Sequence, residues 1–204
     1  ELISLTAFYK LIKNPISRIE VASAGGYLSY ENIADKATVA GVEVEVRKNL
    51  FVRPLSSAAN GMNKLSFGLN GSYIYTNAKM PLATVTTGSQ LEGAAPWIAN
   101  FDLSHNFTKG THSFINTLVF NYVSDKIYTI GTQGYQDIIE QGMMTLDFVS
   151  QAKLNKYVSL TLKARNLLNP SYKLSRKANE SGEKVVLSDY KKGINISLGV
   201  SCTF

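Results

Sequence analysis

Histidines and paired carboxylates are the first residues that could do chemistry. His105 and His112 stand seven positions apart across the turn-forming Thr108-Lys-Gly-Thr111, with no Cys, Asp or Glu at metal-ligand spacing. They read as solvent or interface histidines, and no metal or other cofactor is expected. Asp102 and Asp147 could share acid–base work, but Lys153, Lys163 and Arg165 occupy polar positions of the same kind. A wall of salt-bridged charges accounts for all five. No serine is placed with a histidine for nucleophilic attack, so an enzyme is not expected. What remains is binding. Tyr27, Tyr30, Tyr128 and Tyr135 offer stacking and hydrogen bonding, and Arg18, Arg176 and Lys177 suit an anionic ligand. Six lie in connections between regular segments, and Tyr128 ends the segment that leads into one.

The elements that must position them are strands. Helical periodicity is hard to find, whereas alternation of apolar and polar residues recurs in segments about ten residues long. Eight such segments are expected, over 3–11, 41–47, 65–76, 97–107, 114–128, 144–154, 158–165 and 193–204. In the last, Ile194, Ile196, Leu198, Val200, Cys202 and Phe204 alternate with Asn195, Ser197, Gly199, Ser201 and Thr203. In the second, Val42, Val44 and Val46 alternate with Gly41, Glu43, Glu45 and Arg47. A charged row of that kind does not suit a protein core. It suits the lumen of a membrane barrel, with the apolar row facing lipid, where a Lys or Arg near the midplane costs about 2–4 kcal/mol. His105 is the weak point of its segment, because it falls in the apolar row, and the faces of 114–128 are blurred by Ile115, Asn116 and Val119.

The connections alternate between short and long. The turns at 108–111 and 155–157 are tight and that at 51–63 is of middling length. The stretches 13–36, 80–96, 131–142 and 172–192 are long, and Asn14-Pro15 and Gly25-Gly26 are expected to keep the first of them irregular. In an up-and-down barrel the short turns are periplasmic and the long loops extracellular. Composition agrees. At 204 residues, 45% hydrophobic and with a mean hydropathy of −0.03, the chain has no apolar run long enough for a membrane helix. The formal charge of +6 would suit nucleic acid, anionic lipopolysaccharide or an acidic ligand, but it comes without a basic run and reads first as solvated loops with a lysine excess; outer-membrane lipid and lipopolysaccharide are the expected partners, and nucleic acid is not. The single Cys202 excludes an intrachain disulfide and reads as a small apolar filler. The chain opens at Glu1 inside a strand pattern, with neither an initiator Met nor a signal segment, so residue 1 is expected not to be the natural start of the gene product.

One segment is more specific than the pattern. Asn166, Leu167, Leu168, Asn169 and Tyr172 resemble, position by position, the Asn-Leu-(Phe/Leu)-(Asp/Asn)-x-x-Tyr segment that TonB-dependent outer-membrane receptors carry before their last loop and final strand. Gly41-Val-Glu-Val-Glu-Val-Arg47 is similar to a Gly-x-Glu-x-Glu strand of those receptors. Leu91-Glu-Gly-Ala-Ala-Pro-Trp97 is similar to the loop-to-strand passage that follows, and Tyr190-Lys-Lys-Gly193 resembles receptors of the Bacteroidetes group. The alternating row ending Ile196, Leu198, Val200 and Phe204 resembles the terminal strand read by the barrel-assembly machinery.

The resemblance implies an all-β, antiparallel up-and-down barrel of about 22 strands, with residues 1–204 as its carboxyl-terminal portion and with plug and TonB box outside this chain. It implies a bacterial outer-membrane location and uptake of a scarce nutrient such as a ferric siderophore, haem, cobalamin or oligosaccharide. The partners implied are TonB-ExbB-ExbD through parts not in this chain, the barrel-assembly machinery and a surface lipoprotein. An acidic Asp-Pro-Glu segment expected after the Asn-Leu motif in glycan importers is absent. A self-contained eight-stranded structural or adhesive barrel is the rival reading. It needs Glu43, Glu45, Arg47, Lys163 and Arg165 packed into one network, whereas a large barrel spreads them along a hydrated wall.

Overall fold

The computed structural model describes residues 1–21, 26–55, 61–78, 90–132, 134–178 and 182–203. Fourteen strands are formed among them and no helix. Eight make one antiparallel sheet: β1 (Leu2–Lys13), β4 (Lys36–Pro54), β5 (Met62–Ala78), β6 (Trp97–Lys109), β7 (His112–Val123), β10 (Met143–Lys153), β11 (Val158–Arg165) and β14 (Asn195–Cys202). Each pairs with the next in that order, so the sheet is a meander interrupted only by excursions at one end.

Register turns the period of 2 into two faces. Residues directly opposite in an antiparallel ladder share a face. Leu5 lies opposite Val44, then Gly71, Ala99, Tyr122 and Met144 follow across the sheet. One position along, Ser4, Glu45, Asn70, Asn100, Asn121 and Thr145 form the matching polar row. Tyr73 and Trp97 meet on the apolar face at the loop end, ring centroids 4.6 Å apart, where an aromatic girdle is favoured.

No second layer of described residues covers either face. Ile3 is 82% exposed and Leu198 71% exposed, values that a sheet packed in a soluble sandwich does not show for its apolar row. A wall with one mainly apolar face and its carboxylates on the opposite face is stable in lipid only with the apolar face outward. β1 pairs only with β4, and β14 only with β11, so the far edges of both strands make no ladder among the described residues. Phe204 lies outside those residues, while Ile196, Leu198 and Val200 project from the free edge strand.

Each expected strand has an observed counterpart, with 158–165 reproduced residue for residue, 3–11 and 144–154 differing by a residue or two at their ends, and 193–204 found as Asn195–Cys202 with Phe204 outside the described residues. Two boundaries need correction. Both ends of the connection at 51–63 are strand: after a bulge between Asn49 and Phe51, Phe51 to Pro54 pair with Leu65 to Met62, lengthening β4 to 19 residues. The segment 114–128 breaks at Val123, and a separate β8 (Lys126–Thr129) begins after it.

The larger correction concerns the long connections, the first of which is expected to be irregular. Among the described residues three of the four carry strands, and residues 80–89 of the loop expected at 80–96 lie outside those residues. The connection 13–36 folds as the hairpin β2 (Ile16–Glu20) and β3 (Leu28–Asn32). β9 (Ile138–Glu140) and the hairpin β12 (Ser171–Lys177) and β13 (Lys184–Lys191) join β8 in a four-stranded sheet of order β13-β12-β9-β8. The physical reason is apolar burial. Ile19, Ile33 and Ala34 of the first connection pack with Ile127, Ile130, Ala37 and Ala78, flanked by Leu91 and Ile139. The buried apolar residues therefore sit at the loop end.

Candidate functional site

The connections at the loop end fold together into a cap on that end of the wall, where β8, β9, β12 and β13 keep the order of β7, β10, β11 and β14. Two backbone hydrogen bonds join its halves, Ile130 N–H to Arg18 O at 3.0 Å and Glu20 N–H to Ile130 O at 3.2 Å, making a parallel bridge between Ile19 and Ile130. Side chains staple the same seam. Arg18 Nη2 donates to Glu92 Oε1 at 3.1 Å, its Nε donates to Tyr128 O at 3.2 Å, and its guanidinium lies 3.8 Å from the centroid of the Tyr128 ring. Burial works against the Arg18 charge, but Tyr128 and Glu92 outweigh it and hold its pKa above the ordinary arginine value. Arg176 pairs with Glu20 and lies 5.5 Å from the centroid of the Tyr135 ring.

A second cluster lies on β12 and its neighbours. Tyr172 O–H donates to Glu140 Oε2 at 3.3 Å, and Lys126 Nζ pairs with Glu140 Oε1 at 3.1 Å. Burial and the Glu140 charge push the Tyr172 phenol up to about 12, so it remains a donor. Tyr190 packs 5.0 Å away and Lys192 lies 5.4 Å over the Tyr172 ring. Lys173 Nζ lies 3.1 Å from Asp189 Oδ2, and its hydrogen bond, with one from Ser171, lowers the Asp189 pKa.

The Asn166–Tyr172 segment is a corner latch. Asn166 and Asn169 both adopt left-handed backbone, φ 58° and 44°, a conformation that asparagine tolerates better than other non-glycine residues. The Asn166 side-chain amide donates to Gly193 O at 2.7 Å, and Gly193 N–H donates to Asn169 Oδ1 at 3.0 Å. Asp147 Oδ1 accepts from Asn166 N–H at 2.8 Å. Together these pin the departure of β11 to the start of β14. Beside the latch, Asp147, Arg165, Tyr172, Lys192 and Asn195 line an open hollow of about 380 Å³ on the polar side of the wall.

The candidate ligand residues therefore divide. Tyr27 and Tyr30 are exposed, at 70% and 68%, and Lys177 is exposed at the end of β12. Tyr135 is partly exposed. Arg18, Tyr128 and Arg176 are half-buried and engaged with Glu92 and Glu20 within the cap. Those carboxylates were not singled out from the sequence. Glu92 lies inside the Leu91–Trp97 passage, and the isoleucines at 19, 127, 130, 138 and 139, in or beside the long connections, are the available signal of a folded cap. Asp147, read as part of a salt-bridged wall, instead caps the Asn166 amide. Along the wall, Arg47 pairs with Glu45 at 2.6 Å, and neither Lys163 nor Arg165 makes an ion pair among the described residues. Among the same residues there is no group of acidic, His or Cys side chains that could hold a metal.

A lipid-facing sheet with a polar lumen face, short turns at one end and a folded cap at the other defines the wall of an outer-membrane β-barrel. The family model of the TonB dependent receptor-like β-barrel matches residues 1–167, and the chain belongs to that family. No curated protein and no solved structure matches it. The protein is thus a bacterial outer-membrane component of TonB-dependent transport, a receptor and transporter family rather than an enzyme family.

Proposed function

We propose that residues 1–204 are the carboxyl-terminal part of a larger barrel, of about 22 strands, which imports a scarce nutrient such as a ferric siderophore, haem, cobalamin or oligosaccharide. The observation that carries this reading is the open sheet: β1 and β14 each leave an edge unpaired among the described residues. Unpaired backbone groups facing hydrocarbon cost several kcal/mol each. Further strands remove that cost. The separated charges of Arg47, Lys163 and Arg165 also suit a hydrated wall better than the packed interior of a closed eight-stranded barrel.

In this reading the nutrient meets the exposed Tyr27, Tyr30, Tyr135 and Lys177 first, while Arg18, Tyr128 and Arg176 hold the cap in shape and reach ligand only if their pairs with Glu92 and Glu20 open. Plug and TonB-ExbB-ExbD contacts belong to other parts of the polypeptide. β14 is the segment offered to the barrel-assembly machinery, and a surface lipoprotein is accommodated above the cap.

The test has two readouts. An antibody against residues 172–192 should detect, in denatured outer membranes, a polypeptide on the order of 80–110 kDa, the size of a 22-stranded barrel with a plug. Deleting the gene should abolish uptake of one labelled nutrient among ferric siderophores, haem, cobalamin and oligosaccharides, and a protonophore should abolish the same uptake in the parent strain. A band at 22.4 kDa with no uptake defect would overturn the proposal.

A further inference from the structure

The apolar face of the wall carries a polar island. His105 lies directly opposite Leu65 on one side and Asn116 on the other, and Asn116 lies opposite Ser150. All share the face of Leu103, Leu118 and Phe148, which occupy the next row toward the loop end, and of Phe107 and Phe114, which occupy the next row toward the turns. The island is hydrogen-bonded across strands: His105 Nε2 donates to Asn63 Oδ1 at 2.8 Å, and Ser150 Oγ donates to Asn116 Oδ1 at 2.7 Å. These bonds use the amide oxygens of Asn63 and Asn116. The amide N–H groups of both donate to nothing among the described residues.

Position narrows what such donors face. His105 is five residues from Gly110 in the β6–β7 turn, which is ~12 Å of height for a strand rising ~3.3 Å per residue at a tilt of ~40°. Trp97 of the loop-end girdle stands eight residues away on the same strand, ~20 Å by the same rise and tilt, so in an apolar band ~25 Å tall the island lies toward the periplasmic edge. A donor there without a partner costs free energy and marks a functional contact.

Charge supplies the partner's sign. Arg53 lies directly opposite Asn63 on this face, exposed and without an ion pair among the described residues, its guanidinium 5.5 Å from the Phe51 ring centroid. Lys109 and His112 are paired on the same face nearer the turn. Within the paired residues of the eight strands the carboxylates, Glu43, Glu45, Asp102 and Asp147, all fall on the opposite face. A cation, a row of N–H donors and no carboxylate in the periplasmic half of the wall are complementary to a phosphodiester with acyl chains above it.

We propose that this island seats the headgroup of an anionic phospholipid of the periplasmic leaflet. Arg53 carries the charge, the Asn63 and Asn116 amides donate to phosphate and glycerol-ester oxygens, and the acyl chains lie along Leu103, Leu118 and Phe148. His105 and Ser150 are positioning residues, holding the two amides so that their N–H groups point outward. The inference uses only the lipid-facing assignment of the wall and the periplasmic placement of its short turns. A failed uptake experiment leaves it standing, and a failed lipid experiment leaves the transport reading standing.

The experiment is a titration of the whole receptor, purified in mild detergent and stripped of lipid, with short-chain phosphatidylglycerol and, as control, phosphatidylcholine, followed by native mass spectrometry. Phosphatidylglycerol is expected to bind in preference. Arg53→Gln and Asn116→Leu should each weaken it about tenfold, the effect of one hydrogen bond to a charged group. Arg53→Lys should keep most of the affinity, and the lumen-facing Lys163→Gln should change nothing. Apolar replacements on a lipid-facing surface leave the barrel able to fold, and heat-modifiable migration checks that each variant has done so. Equal binding of the two lipids, or equal affinity in Arg53→Gln and the parent, overturns the proposal. So does an oligomer that Asn116→Leu dissolves without altering lipid binding, which would assign the island to a second copy of the protein.

Discussion

The corner latch between β11 and β14 makes a quantitative claim about Asn166. Replacing it with alanine removes the 2.7 Å bond from its amide to Gly193 O, a net contribution of about 1 kcal/mol. It also forces alanine into a backbone with φ 58°, at about 1 kcal/mol more. Glycine removes the bond and none of the backbone ease. The expected costs are therefore about 2 kcal/mol for Asn166→Ala and about 1 kcal/mol for Asn166→Gly, or roughly 30-fold and 5-fold in a local opening equilibrium. Amide hydrogen exchange reads that equilibrium directly. In the whole receptor, peptides covering 166–172 and 190–196 should exchange faster in that order, while peptides from β4 and β5 keep parent rates. Parent rates in both variants, or glycine exchanging faster than alanine, would refute the latch.

Four other outcomes test separate parts of the molecule. Gly41→Ala places a methyl 2.3 Å from the Phe8 ring and 2.7 Å from Tyr73 O; this overpacking should cost about 1–3 kcal/mol and lower the unfolding midpoint. Val44→Arg, on the lipid face, should cost about 2–4 kcal/mol and reduce outer-membrane assembly, while Glu43→Arg on the lumen face should assemble at parent levels, both read by immunoblot of folded protein. A double-mutant cycle of Arg18→Gln and Glu92→Gln should show a coupling of about 1 kcal/mol by denaturant unfolding, since the pair is only half-buried. The raised Tyr172 pKa of about 12 means that the folded cap favours the neutral phenol. Its contribution is full below the ordinary value of about 10 and is lost as pH rises through about 12. Tyrosinate absorbance, compared with that of Tyr172→Phe, should show one late-titrating phenol.

What could be read from the chain without coordinates follows the range of the interactions concerned. Strand faces are local. Val42, Val44 and Val46 against Glu43, Glu45 and Arg47 declare their sides within seven residues, and the observed register keeps every one of those assignments, including the outward His105. The motif at 166–172 was legible as a resemblance, but its chemistry was not, because the partner of Asn166 is Gly193 and nothing in the spacing of an Asn-Leu-Leu-Asn run points to a glycine 27 residues away. The cap was the least legible. Arg18 finds Glu92 across 74 residues and Arg176 finds Glu20 across 156, so each connection, taken alone, looks polar and broken by Pro15 or Gly131.

That difference bears on how the wall and cap divide their work. The wall's register is held by continuous backbone ladders, and lipid penalises any slip by turning charged residues outward. The cap has no such enforcement. Its small apolar core, around Ile19, Ile127 and Ile130, and the pairs Arg18–Glu92 and Arg176–Glu20 are what hold it. A cap of that kind opens at far lower cost than the strands beneath it. Of the three cations that would answer an anionic nutrient, Arg18 and Arg176 also close the cap, so an anion strong enough to displace Glu92 or Glu20 would loosen the seam at Ile19 and Ile130 as it binds. Ligand capture and cap opening would then be one event, with the rigid wall unchanged below.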